Sequence, residues 1–157
     1  MLLIRSAVPE DFPALAEVFF AAVREGALGL YSEEQCRAWC PKLPSGPAWA
    51  ERLGQADILL VAEVDNAVAG YMSLITATGY LDMAFVRPRF QRQGVASALH
   101  SVLEGRARAL GLTRLDTEAS LLAEPVFLRL GWQVIKRQDV VRRGVSLRNA
   151  WMEKKLG

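Results

Sequence analysis

The residues with the most chemical content run together as Leu81-Asp82-Met83-Ala84-Phe85-Val86-Arg87-Pro88-Arg89-Phe90-Gln91-Arg92-Gln93-Gly94-Val95-Ala96. An apolar strand pattern closes at Pro88, a basic turn follows, and a helix pattern opens at Gly94. A helix N-terminus leaves its first amides unpaired and carries partial positive charge, which suits a phosphate. Gly94 removes a Cβ from the path of an approaching phosphate. Ala96 keeps the first turn small, and Arg87, Arg89 and Arg92 add formal positive charge. A plain helix start that contains a glycine has the same spacing. Two rival phosphate motifs are missing, the G-x-x-x-x-G-K-[ST] loop and a G-x-G-x-x-G after a strand.

Asp82 interrupts an otherwise apolar strand just before that turn, where a carboxylate is unexpected. A carboxylate whose proton affinity is raised by burial can take a proton from an amine, directly or through water. An outward-facing place at a strand edge also accounts for it. Strict alternation sets Asp82, Ala84 and Val86 on one face and Leu81, Met83 and Phe85 on the other, and a bulge would shift that phase. Glu118, late in another expected strand, is the second candidate base. Glu33 and Glu34 open a helix and serve its dipole. Tyr31, Trp39 and Trp49 lie among short helices, where aromatic rings either wall a pocket or pack a core. Cys36 and Cys40 stand i,i+4, but no second Cys/His pair accompanies them and His100 is mid-helix elsewhere. No metal site is expected. Arg142-Arg143 reads as a solvated hairpin turn.

These residues need a scaffold, and 157 residues with 52% hydrophobic content can supply one domain spanning 1–157. Disorder is excluded by that content. With Lys+Arg 19 against Asp+Glu 17, the net charge of +2 gives no support to a nucleic-acid partner. No apolar run reaches the roughly 20 residues of a membrane span, and no leader pattern opens the chain, so a cytoplasmic location without membrane contact is expected. Periodicity and punctuation place strands at 2–5, 58–64, 68–76, 80–86, 113–119, 132–140 and 145–152. Helices are expected from Pro9 through Val23, then at 32–40, 48–53, 94–110 and 121–130, with Ser32-x-x-Gln35 as a capping box. The order β–α–α–(α)–β–β–β–α–β–α–β–β is a mixed α/β single domain.

Gln91-x-x-Gly94-x-Ala96 after Phe85-Val86-Arg87-Pro88 resembles the signature of the GNAT superfamily of N-acetyltransferases. A second block, Ser120-x-x-Ala123-x-x-Val126-Phe127-x-x-x-Gly131-Trp132, is similar to a later family block, in order and at the right distance. The resemblance implies a mostly antiparallel twisted sheet with splayed central strands, flanked by helices. It implies acetyl-CoA as co-substrate and no metal. Backbone amides of Gln91, Arg92, Gln93, Gly94, Val95 and Ala96 would hold the pyrophosphate. Ala84, Phe85 and Val86 would bind the pantetheine, with an amide near Phe85 or Val86 polarising the thioester carbonyl. Ser120 and Phe127 would line the cofactor. A primary amine of a small molecule or peptide would attack directly, in a pocket walled by Tyr31 and Trp39. Two positions depart from the family: Ser120 stands where Asn is frequent, and Phe127 stands where a proton-donating Tyr is frequent. Phenylalanine has no proton to give, so a CoA-binding sensor or interaction module with little transfer stays open as an alternative. A homodimer paired through the last strand, Val145–Met152, is also allowed.

Overall fold

Asp65-Asn66 separates two runs rich in Val, Ile, Leu and Ala, and both residues take the left-handed conformation that a two-residue hairpin requires. In the computed structural model, which describes residues 1–157, this turn joins β2 (Ile58–Val64) to β3 (Ala67–Ile75). β1 (Leu2–Ser6) lies on the other side of β2, and β4 (Tyr80–Val86) lies beyond β3, all antiparallel. β5 (Arg114–Ser120), β6 (Gln133–Arg142) and β7 (Val145–Lys155) complete a seven-stranded sheet of order β1-β2-β3-β4-β5-β7-β6. Only β4 and β5 run parallel.

Five helices cover the sheet: α1 (Phe12–Ala21), α2 (Glu33–Trp39), α3 (Gly46–Leu53), α4 (Val95–Ala109) and α5 (Glu124–Arg129). On α4, Val95, Leu99, Leu103 and Ala107 recur every fourth residue and are all buried. They meet Leu60, Met72, Leu74 and Leu81 on one sheet face. Fully burying Leu99 and Leu103 stabilises by about 1.5–3 kcal/mol each. Val61, Tyr71 and Met83 point to the opposite face and pack under α1 and α3. After α1 the chain widens into a π-helical turn, Ala22–Gly26. The capping box of α2 forms as expected: Ser32 Oγ accepts from Gln35 N at 3.1 Å and Gln35 Oε1 accepts from Ser32 N at 2.8 Å. No helix is long and apolar enough to cross a membrane.

Three expectations change. The helix expected at 121–130 begins only at Glu124. Ser120 Oγ accepts from Ala123 N at 3.1 Å and holds the chain in a turn, and Pro125 then suits a helix start. In the last strand β6 covers one edge and β5 covers the other only from Asn149 to Lys155, so the stretch open to pairing across a dimer narrows from the expected Val145–Met152 to Val145–Arg148. The alternation expected in β4 also fails. Met83 faces Ser73 and Leu81 faces Leu74, which leaves Asp82 as an unpaired bulge. Leu81 therefore joins Ala84 and Val86 on the α4 side, while Met83 and Phe85 face α1. Ser73 Oγ accepts from Met83 N at 3.0 Å across the irregular step.

Candidate active site

The bulge sits where two strands part. β4 and β5 pair at Tyr80 and Asp116, Asp116 N donates to Gly79 O at 3.0 Å, and Thr117 Oγ1 donates to Leu81 O at 2.7 Å. Beyond that clip no further β4–β5 pair forms. β5 stays bonded to β7 as far as Ser120–Asn149, and β4 stays bonded to β3 as far as Val86–Gly70. A gap therefore opens in the middle of the sheet. One edge of β4 is left without a strand partner over Ala84, Phe85 and Val86. Two cavities of about 590 and 570 Å³ flank the gap, and Ala84, Phe85, Ser120, Ala123 and Phe127 line both.

The smaller cavity collects most of the residues expected to hold a phosphorylated cofactor: Gln91, Arg92, Gly94, Val95, Ala96 and Val86 all line it. Arg92 and Gly94 both take positive φ, at 64° and 80°, and so swing the chain from a 3-10 turn into α4. Ala98 N makes the first helical bond, to Gly94 O at 3.0 Å. The amides of Val95, Ala96 and Ser97 before it have no carbonyl one turn back. A Cβ built on Gly94 would meet no protein atom within 4 Å, so glycine is there for its conformation, and the space beside it is open. Three basic or polar residues of this turn, Arg87, Arg89 and Gln93, are not on the cavity wall. Gln93 does not line the cavity; its Nε2 donates to Arg89 O at 3.1 Å. Arg89 lies over the Phe90 ring and Arg87 sits 4.0 Å from Glu17. The second cation on the cavity wall is Arg129 of α5, which no local sequence pattern singles out.

The larger cavity takes the aromatic residues and both carboxylates. Tyr31, Trp39, Trp49, Asp82 and Glu118 all line it. Its floor is a chain of ring contacts: Phe19 stacks on Trp49 at 5.8 Å, and Phe85 meets Phe19 at 4.9 Å and Trp39 at 6.0 Å. Tyr31 also braces the gap, accepting from Leu121 N at 3.0 Å and donating to Arg148 O at 2.5 Å. Asp82 is closed by Arg52 of α3, whose guanidinium donates to its two oxygens at 2.5 and 3.2 Å. Glu118 accepts from Gln138 Nε2 at 3.0 Å and lies 3.5 Å from Tyr80 Oη. Burial, with Glu118 and Asp82 nearby, pushes the Tyr80 hydroxyl up to about 12, so it keeps its proton. Sequence spacing could not foresee Arg52, Tyr80 or Gln138, because each arrives from a distant element. Cys36 and Cys40 pack in an apolar cluster, where burial raises both thiols, Cys40 to about 11. Buried thiols of that kind are inert.

One cavity with cations and free helix amides and another with two carboxylates thus share a single gap in the sheet. The sequence model of the acetyltransferase (GNAT) domain matches residues 27–156. The chain belongs to the GNAT acetyltransferase family and is an acetyltransferase. It is 36% identical over 152 residues to the uncharacterized N-acetyltransferase YafP of Escherichia coli K12, covering 97% of this chain and 95% of that one. The crystal structure of a GCN5-related N-acetyltransferase from Rhodopseudomonas palustris superposes with a TM-score of 0.90 at 30% identity, over 98% of this chain and 94% of that one. PaiA N-acetyltransferase from Thermoplasma acidophilum, solved in complex with coenzyme A, has a TM-score of 0.77 at 19% identity over 99% of each chain.

Proposed function

We propose that the protein moves the acetyl group of acetyl-CoA to a primary amine of a small molecule or peptide, by direct attack across the β4–β5 gap. The meeting of two cavities at Ala84, Phe85 and Ser120 carries this reading. The residues present fit the cofactor: free amides at the start of α4 beside Gly94, Arg92 and Arg129 for phosphate charge, and an unpaired edge of β4 for the pantetheine amides. Bound there, acetyl-CoA supplies an activated acyl group. A β4 amide near Phe85 or Val86 donates to the carbonyl oxygen as charge develops on it. Tyr31, Trp39, Phe85 and Trp49 enclose the acceptor.

Asp82 and Glu118 are the two carboxylates of the acceptor cavity. Glu118 receives the amine proton in our reading, because Arg52 engages both oxygens of Asp82 while Glu118 has only neutral donors. Phe127 cannot protonate the departing thiolate. Ser120 lines both cavities and its Oγ accepts from Ala123 N, which leaves its own O–H to hydrogen-bond the departing sulfur while the thiolate takes its proton from water. We place this reaction in the cytoplasm.

Thermal unfolding with acetyl-CoA tests the reading. Ligand at about 100 times its dissociation constant stabilises by about 2.7 kcal/mol, which raises Tm by about 5–11 °C for a chain of this size. Gly94→Glu fills the open space with a negative charge and abolishes the rise. No rise at millimolar acetyl-CoA would overturn the cofactor assignment. Phe127 favours a second reading, a CoA-binding sensor; stabilisation without thiol release on any amine would select it.

A further inference from the structure

The acceptor cavity is polarised. Its charged lining residues are Asp82 and Glu118 beside the gap and the cations Lys42, Arg52, Arg142 and Arg143. Arg52 is committed to Asp82. The other three cations have no carboxylate within ion-pair distance. Arg143 Nη1 donates to Ala38 O at 2.7 Å and Arg142 Nη1 to Val141 O at 3.3 Å, so both guanidinium groups keep most of their donors free. The hairpin turn that sequence reads as solvated surface is also the rim of this cavity.

A second observation lies on the same wall. Asn149, 9% exposed, lines the cavity as the strand partner of Ser120, and its buried Oδ1 has no hydrogen-bond donor. An unmet buried acceptor is costly and is normally supplied by a donor from water or ligand. An N–H of the acceptor, seated at the gap, can supply it.

We propose that the acceptor is an aminocarboxylate whose acid group lies several bonds from the amine that is acetylated, joined by an apolar or aromatic spacer. This rests on the transferase reading above. Along β7 the gap lies at Asn149, and the turn begins at Val145, which pairs with Arg142. Four residues at about 3.4 Å each set the two ends roughly 14 Å apart along the strand, and the arginine side chains reach back over part of that distance. An α-carboxylate next to the amine would sit at the Asp82–Glu118 end, away from these cations. The aromatic floor between the ends suits a ring or a methylene chain. Planar, bidentate guanidinium groups suit a carboxylate better than they suit any neutral group.

The test compares 4-(aminomethyl)benzoate, benzylamine and 1,4-bis(aminomethyl)benzene, three amines of one shape with an anionic, neutral or cationic far end. Thiol release gives kcat/KM for each. The aminobenzoate is expected to be preferred over benzylamine by about tenfold, the diamine least. The double variant Arg142→Gln/Arg143→Gln lowers the aminobenzoate-to-benzylamine ratio by about fivefold or more, in keeping with two exposed charge contacts. Tm checks that the exposed turn tolerates the change. Added salt shrinks the ratio in the wild type more than in the variant. Equal ratios in the two proteins, or a preference for the diamine, would overturn the proposal. If none of the three is acetylated although acetyl-CoA stabilises the protein, thiol release over the wider set of amines decides the transferase reading separately. Binding then decides the present one, through quenching of Trp39 and Trp49 fluorescence. Tighter quenching by 4-(aminomethyl)benzoate than by benzylamine, lost in the double variant, supports it; equal quenching refutes it.

Discussion

His100 is the chain's single histidine and is 3% exposed beneath the cofactor-side wall. Its Nε2 accepts from Trp132 Nε1 at 2.8 Å, and its ring meets those of Phe127 and Trp132. Accepting that bond requires the neutral ring with its proton on Nδ1, which faces Glu104 at 4.0 Å. Burial, and then Lys154 nearby, lower its pKa from 6.5 to about 4. The unfolded chain thus binds a proton between those values that the native chain refuses. Stability from this site is complete above pH 6.5 and is lost as pH falls towards 4. At 1.36 kcal/mol per unit the loss is about 2 kcal/mol at pH 5 and about 3 kcal/mol by pH 4. That is a large share of a typical domain's stability, and it lowers Tm by about 6–12 °C. Urea unfolding at half-unit pH steps measures it. His100→Gln keeps an acceptor for Trp132 without a titrating ring, so its curve should be flatter over this window. Asp11, held below the usual carboxylate range by the Arg5 guanidinium, unloads at lower pH in both proteins and cancels from the difference. Parallel curves for the two proteins, or a native histidine titrating near 6.5 by NMR, would refute the reasoning.

Gly70 faces Val86 across β3 and β4, and a Cβ there would lie 2.7 Å from Phe85 O and 3.2 Å from Val95 Cγ1. Gly70→Ala is expected to cost about 1–3 kcal/mol and to weaken acetyl-CoA binding by displacing Phe85; Tm and a binding titration check both. Gly105→Ala, in open space at an exposed position of α4, should instead stabilise by about 1 kcal/mol in the same melts. Glu118→Gln is expected to lower kcat/KM by about 10²-fold or more, as loss of a general base does, and Asp82→Asn by less. The reverse order in steady-state assays would return the base role to Asp82.

Periodicity and punctuation were enough for most of the architecture. The strands from 58 to 64 and 80 to 86 have the boundaries that sequence patterning places, and α2 begins at its capping box. The α5 boundary moved because a Ser120 side-chain bond competes with helix nucleation, a contact that hydrophobic periodicity does not register. The half of the site proposed to hold the phosphate was equally legible. It is a run of consecutive residues at a helix start, and Gln91, Arg92, Gly94, Val95 and Ala96 come to one cavity wall by their spacing alone. Of the expected basic residues only Arg92 lines that cavity, because Arg89 finds the Phe90 ring and Arg87 approaches Glu17 instead.

The acceptor half was the opposite case. Asp82 could be singled out as an odd carboxylate, but its bulge depends on the register of β4 against β3. Its closure depends on Arg52, 30 residues away on α3. The pairing of Ser120 with Asn149, and the return of Arg142 and Arg143 to the rim, need three strands to be assembled first. The sequence by itself determined the family, the element order and the turn that opens α4 at Gly94, because those are properties of neighbouring residues. Only the tertiary structure decided which charges face the acceptor. Side chains from α2, α3, β4, β5 and the β6–β7 turn meet there through packing and strand register, and neither is encoded in local spacing.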